Sequence, residues 1–144
     1  MRKLLAIGIG LFASCPMVIT SALAMQAASQ PQRWFQITNS DAGSVVYLDA
    51  ERADFSGEMP TVWLRYDHTR DSTVPFRSSM VREQIDCATL RSRYLSITRY
   101  RADGTSFTEA GSGLWGETIP DSIGEQIARR VCELAREFRR RPAQ

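Results

Sequence analysis

The chain has 144 residues, 18 of them basic and 16 acidic, which gives a formal net charge of +2 at pH 7. Removal of the first 24 residues would take Arg2 and Lys3 with it, so the remaining 120 residues would carry 16 charges of each sign. A neutral chain of that length is typical of one domain, and it lacks the positive charge of a nucleic-acid-binding protein.

The first 24 residues have the pattern of a secretory signal peptide. Arg2 and Lys3 give a positive start, residues 4–19 are almost wholly apolar, and Ala22-Leu23-Ala24 is a small-x-small cleavage site. We therefore expect cleavage after Ala24 and a periplasmic or secreted protein.

Cys15 leaves a second processing route open, because Phe-Ala-Ser-Cys loosely resembles a lipobox and would make the protein an outer-membrane lipoprotein. With cleavage after Ala24, Cys15 is discarded. The sequence of residues 25–32, MQAASQPQ, predicts a short disordered lead-in. Residues 33–144 then form a single domain.

From Arg33 onward the pattern predicts an antiparallel sheet. Short runs rich in β-branched and aromatic residues are separated by turn signals. Asp103 and Gly104 lie between the last two runs, where a tight hairpin requires positive φ. The six predicted strands are residues 34–38, 44–49, 61–68, 76–87, 94–101 and 106–109.

The C-terminal segment predicts one amphipathic helix over about residues 121–140. Ser122 and Glu125 have the spacing of a capping box at its start. Small residues flank the apolar stripe, which allows the helix to lie close to the sheet. Six strands and one helix packed on one face predict an α+β domain. The apolar stripe consists of Ile123, Ile127, Val131, Leu134 and Phe138.

Cys87 and Cys132 are the two cysteines that remain after cleavage. Because an exported protein meets an oxidising environment, we expect them to form a disulfide that joins the helix to the fourth strand. They are 45 positions apart rather than in Cys-x-x-Cys spacing, so redox catalysis is not expected.

The sequence gives little support to an enzyme. His68 is the only histidine, which excludes a His-rich metal site, and no Gly-x-Ser-x-Gly nucleophile elbow is present. We expect His68 to be a solvated residue at a strand end. The acid pairs Asp49/Glu51 and Asp67/Asp71 are more typical of turns and caps than of acid–base catalysis. We therefore predict a non-enzyme without cofactor or metal.

Several short motifs along the predicted domain occur in the order and spacing of one family, the surface-adhesin protein E domain, which the chain resembles over roughly residues 33–133. The resemblance implies a six-stranded antiparallel sheet, a packed C-terminal helix, a Cys87–Cys132 bridge and export in Gram-negative bacteria. The motifs are Trp34, Val46-Tyr-Leu-Asp49, Val62-Trp63, Ser78-Ser79, Ile85-Asp86-Cys87, Arg91-Ser-Arg-Tyr94, Tyr100, Asp103-Gly104, Trp115, Ile119-Pro-Asp-Ser122 and Val131-Cys132.

The same resemblance implies a non-enzymatic binding module that recognises a protein or a cell-envelope component. Family members with a known role are lipid-anchored adhesins that contact host matrix proteins. Some members resemble dimeric proteins, so a homodimer is left open. An alternative is a structural or assembly factor of the periplasm without an extracellular ligand.

One helix covers only one face of a six-stranded sheet, so the other face is available to a partner. Period-2 alternation predicts that Val81, Ile85, Cys87, Leu95 and Ile97 face the helix. It predicts that Trp63, Arg82, Gln84, Tyr94, Ser96, Thr98 and Tyr100 point away. Arginine and rigid aromatic side chains are typical of interfaces, although an ordinary solvated face with cross-strand pairs is the alternative. The candidate binding face is Trp63, Arg82, Gln84, Tyr94 and Tyr100.

The arginine-rich segments have structural interpretations. Residues 139–141 end the helix, where cations complement the helix dipole, although contact with anionic lipid is left open. Arginines also alternate with tyrosines over residues 91–101, a pattern that superficially suggests nucleic-acid binding. The neutral mature chain and the strand-like alternation argue against a nucleic-acid partner.

Overall fold

The structure, a computed structural model, describes residues 33–141. The signal peptide of residues 1–24, cleavage after Ala24, the Cys15 alternative and the lead-in of residues 25–32 lie outside the described residues. Within these residues the chain forms six strands followed by one helix. The elements are β1 (Trp34–Asn39), β2 (Val45–Asp49), β3 (Thr61–Asp67), β4 (Ser78–Asp86), β5 (Arg91–Tyr100), β6 (Ser106–Ala110) and α1 (Ile123–Arg140).

The strands form one antiparallel sheet in the order β1-β2-β3-β4-β5-β6, so each strand pairs with its neighbour in the chain. The predicted α+β class is confirmed. The β5–β6 hairpin turns at Gly104, whose φ is +86°, and Arg101 N–H donates to the carbonyl of Thr105 at 2.8 Å. β5 begins three residues earlier than predicted, since Arg91 pairs with Asp86 directly after a tight turn at Leu90, which has a φ of 57°.

α1 packs on one face of the sheet and encloses the core between the two layers. The predicted stripe placed Phe138 in this core, but its side chain is 53% exposed and packs against Phe55 with a centroid distance of 5.9 Å. Small residues lie at the centre of the contact because they let the helix approach the strands. The buried core side chains are Val46, Leu48, Val62, Leu64, Val81, Ile85, Ile127, Ala128, Val131, Cys132 and Ala135.

The predicted disulfide between Cys87 and Cys132 is confirmed, with a Cα–Cα distance of 5.5 Å. Cys87 follows β4 directly, and Cys132 lies in the buried stripe near the middle of α1. The bond therefore fixes the helix to one end of the sheet.

Both ends of α1 are held by side chains. Ser122 Oγ accepts from the backbone N–H of Glu125 at 3.2 Å, as a capping box predicts. The carboxylate of Glu125 accepts from the N–H of Asp121 at 2.8 Å, one residue earlier than in the standard motif. Near the other end, Arg139 Nη1 donates to the carbonyls of Phe55 and Gly57 at 3.3 and 2.8 Å. These two bonds fix the end of the helix to the β2–β3 loop.

The side of the sheet that carries α1 is the helix face, and the opposite side is the open face. A β-bulge interrupts the alternation of side chains between the two faces of β5. Arg82 pairs with Ser96, whereas Glu83 pairs with Tyr94, which leaves Leu95 as an extra residue. Tyr94 consequently lies on the helix face, and the prediction that it points away from the helix is wrong. Leu95 was predicted to face the helix but is not part of the packed core.

Candidate binding surface

The open face carries mainly polar and aromatic side chains. One row across the strands contains Tyr47, Arg65, Met80, Thr98 and Thr108, and the next contains Trp63, Arg82, Ser96 and Ala110. Among the described residues, the one helix lies on the opposite side, so the rows face away from the core.

Arg65 lies in the middle of this face and is held by aromatic rings. Its guanidinium carbon is 4.6 Å from the ring centroid of Tyr47 and 5.4 Å from that of Trp34. Cation–π contacts of this kind restrict the side chain without neutralising its charge. Arg65 Nε is buried and has no hydrogen-bond partner within the described part of the chain. The positive charge is therefore fixed in position and lacks a protein acceptor at that atom.

Arg93 is fixed in a similar way at the other side of the face. Its guanidinium carbon lies 4.7 Å from the ring centroid of Trp115. Nε and Nη2 of Arg93 both donate to Gln84 Oε1, at 2.9 and 2.6 Å. Gln84, a residue of the candidate binding face, thus positions a neighbouring arginine.

Arg82 and Tyr100 are the more accessible members of the candidate face. Arg82 is exposed and lies opposite Trp63 on β3. Tyr100 is 38% exposed and lies opposite Ser78 and Ser106. Within residues 33–141, neither Arg65 nor Arg82 forms an ion pair.

The carboxylates on the open face are already bound and lie towards its margins. Burial by itself would raise the pKa of Asp49, but hydrogen bonds from Arg33 at 2.6 and 3.0 Å hold that pKa below its usual range. Asp67 Oδ1 accepts from the N–H and hydroxyl of Thr69, at 3.0 and 2.7 Å, which lowers its pKa. Asp86 similarly binds Ala88 and Thr89. Asp49 is neutralised by Arg33, whereas Asp67 stays ionised near Arg65, whose charge also lowers the Asp67 pKa.

Tyr94 belongs to a different surface, a groove on the helix face lined by residues of β3, β4 and β5 and by His68. The groove has a volume of about 230 Å³. Tyr94, at its edge, is 44% exposed. Burial and the nearby carboxyl of Glu83 raise the pKa of both Tyr66 and Tyr94. The other lining residues are His68, Ser79, Val81, Ile97 and Arg99.

Glu83 lies opposite Tyr94 on the helix face and is buried. Burial raises its pKa to about 7, although a hydrogen bond with Ser92 acts in the opposite direction. Its Oε2 has no hydrogen-bond partner among the described residues. An acid at this position is therefore a cost to the folded state whenever it is ionised.

Four polar residues form a hydrogen-bonded chain at the end of the groove. Ser44 Oγ donates to Asp71 Oδ2 at 2.6 Å and lies 2.8 Å from His68 Nδ1. His68 Nε2 lies 3.1 Å from Ser79 Oγ. Because the single hydroxyl hydrogen of Ser44 goes to the carboxylate, Nδ1 of His68 is the donor to Ser44. Nε2 then accepts from Ser79 in the neutral ring.

The expectation that His68 is solvated is thus wrong: the ring is half-buried and both nitrogens are hydrogen-bonded. Burial lowers its pKa, while Asp71 and Asp67 act in the opposite direction. Ser79 is the second residue of strand β4, not part of the strained turn that presents a nucleophilic serine. The chain of hydrogen bonds therefore supports a structural role that links β2 to β4.

No group of histidine, cysteine and acidic residues within residues 33–141 is arranged to hold a metal ion. In the same part of the chain, α1 lacks the apolar length that a membrane-crossing helix needs.

Comparison with known proteins gives one family. The family model described as surface-adhesin protein E matches residues 34–133, which include all six strands and the first part of α1. No curated protein and no solved structure gives a significant match to the chain.

Proposed function

Because the chain belongs to the surface-adhesin protein E family, we propose that it is a non-enzymatic binding module whose open face recognises a protein or a cell-envelope component. The family is adhesin-like, which fits an exported protein. The mature protein begins after Ala24 and is periplasmic or secreted, and a lipid anchor on Cys15 is the other form that intact-mass measurement would detect.

The arrangement of Arg65 and Arg93 on aromatic rings is the observation that carries the proposal. Residues that dominate binding energy at interfaces are most often tryptophan, tyrosine and arginine. Rings hold both guanidinium groups in place before a partner arrives, which lowers the entropy lost on binding. Trp63, Arg82 and Tyr100 add accessible contacts on the same face, with Gln84 as the support of Arg93.

A capture experiment with charge-reversed variants tests the proposal. The mature domain is crosslinked to intact producing cells and to host matrix proteins, and captured components are compared between wild type and Arg82→Glu. Arg136→Glu is the matched control, since Arg136 is exposed on α1 and the substitution changes the charge equally. We expect Arg82→Glu to abolish specific capture and the control to retain it. Loss of capture with Arg136→Glu but not with Arg82→Glu would assign binding to the helix side.

A further inference from the structure

Within residues 33–141, three neighbouring strands each contribute to the open face one arginine that forms no ion pair, and we propose that this arginine band binds an acidic, extended segment of a partner protein. The arginine band consists of Arg65 on β3, Arg82 on β4 and Arg93 on β5. The inference rests on the proposed function, because it names the chemistry of the partner that the open face takes.

The register sets the spacing of the band. Arg65 lies opposite Met80, Arg82 lies two residues further along β4, and Arg93 lies opposite Gln84, two residues further again. The three arginines thus form a diagonal line across the sheet, with about 7–8 Å between successive positions, the usual diagonal separation on paired strands. In an extended peptide, alternate side chains lie on one side about 6.6–6.8 Å apart. Acidic residues at alternate positions of such a peptide would meet successive arginines.

The charge of the band is available for binding. Arg65 and Arg82 form no ion pair within residues 33–141, and Arg93 binds the neutral amide of Gln84 and the ring of Trp115. Asp49 is neutralised by Arg33, and the ionised Asp67, at the end of β3 near Arg65, is oriented by Thr69. A guanidinium group binds a carboxylate through two parallel hydrogen bonds, which makes a carboxylate-bearing partner the complementary choice.

The side chains around the band favour a protein over a nucleic acid. Arginine, tryptophan and methionine are enriched at protein interfaces, and Trp63 and Met80 lie within the band. Single-stranded nucleic acid needs unoccupied aromatic rings for base stacking. Here the rings of Trp34, Tyr47 and Trp115 are already covered by arginine.

All three tryptophans of the protein belong to the open face, which supplies a direct readout. Trp63 lies in one of its rows, and the rings of Trp34 and Trp115 contact Arg65 and Arg93. The mature domain is titrated with poly-L-glutamate while tryptophan fluorescence is recorded. We expect a saturable change that weakens as salt is added. Arg65→Gln and Arg82→Gln together should weaken binding by more than about tenfold, while Arg136→Gln should leave it within about twofold.

The outcomes separate this inference from the proposed function. Absence of a fluorescence change, or equal affinity of the double variant and Arg136→Gln, would overturn the acidic-peptide partner. Heparin that displaces poly-L-glutamate at equal charge concentration and binds more tightly would assign the band to a sulfated polysaccharide and overturn it as well. If Arg82→Glu still abolishes capture from cells in either case, the proposed function stands and only the chemistry of the partner is wrong.

Discussion

Glu83 and Tyr94 lie directly opposite each other on β4 and β5, on the face of the sheet that carries the helix. The pairing exists because the bulge at Leu95 removes one residue from the alternation of β5. Glu83 is buried there, and its Oε2 has no hydrogen-bond partner within residues 33–141. Because burial raises the pKa of Glu83, we expect this pair to give the fold a pH dependence of stability.

Replacing Glu83 with glutamine should remove a pH dependence of stability. The pKa of Glu83 is about 7 in the folded protein against 4.5 for an ordinary glutamate, so the folded state binds more protons between these values. The free energy of unfolding of the wild type should therefore fall as the pH rises through this window, by about 3 kcal/mol in total. Urea unfolding at about pH 5 and about pH 8 measures most of this change.

The Glu83→Gln variant should be more stable than the wild type at the higher pH and differ less at the lower pH. Glu137→Gln is the control, because Glu137 is exposed on α1, and it should keep the wild-type pH dependence. A Glu83→Gln variant with the same pH dependence as the wild type would show that this carboxyl is not buried as an acid.

Tyr94 and Tyr100 should respond differently to replacement by serine, although both are partly exposed tyrosines of β5. Tyr94 covers Glu83 and the groove, so Tyr94→Ser should destabilise the fold by about 1 kcal/mol or more. Tyr100→Ser, on the open face, should change stability by less than about 0.5 kcal/mol and weaken capture of the partner. Thermal unfolding of the two variants checks this, and equal losses of stability would contradict the assignment of faces.

Loss of the disulfide that joins the end of β4 to α1 should lower the free energy of unfolding. Cys87 and Cys132 close a sequence separation of 45 residues, and the chain-entropy model gives about 4 kcal/mol for a loop of that size. A variant with both cysteines replaced by serine should unfold at much lower urea or fail to accumulate. Two titratable thiols in the native, non-reduced protein would contradict the account.

The hydrogen-bonded chain through His68 should depend on Ser44. Ser44→Ala would leave Asp71 Oδ2 and His68 Nδ1 without their shared partner, at a cost of about 1–3 kcal/mol. Ser72→Ala serves as the control, because Ser72 is an exposed residue of the adjacent loop. Urea unfolding gives both values. A neutral Ser44→Ala would mean that the chain of hydrogen bonds contributes little to folding.

The strands, the helix and the disulfide could be predicted from the sequence because local patterns specify them. The hairpin turn requires a positive φ, which Gly104 adopts, and Ser122 caps α1. Export of the protein predicts the pairing of Cys87 with Cys132. The position of Tyr94 could not be predicted, since nothing in the alternation of β5 reveals that Leu95 is an extra residue. A bulge depends on how two strands pair, and it reverses the faces beyond it.

The contacts on the candidate surface could not be predicted from local sequence patterns either. The stacking of Arg65 on Tyr47 and Trp34 joins three strands, and the contact of Arg93 with Trp115 joins a strand to a distant loop. From the sequence, an arginine in a strand could be solvated or stacked on a ring. Only the register of the strands shows which rings it contacts. Similarly, His68 finds Ser44 and Ser79 on two other strands or their ends.

Site-specific photocrosslinking most directly tests whether the open face is the working surface. A photoreactive side chain is introduced at Arg82 on the open face or at Arg136 on the exposed side of α1, in protein that is otherwise unchanged. After irradiation with intact cells and with matrix proteins, we expect a discrete adduct from position 82 and none from position 136. An adduct from position 136 alone would contradict this expectation and place the binding surface on the helix.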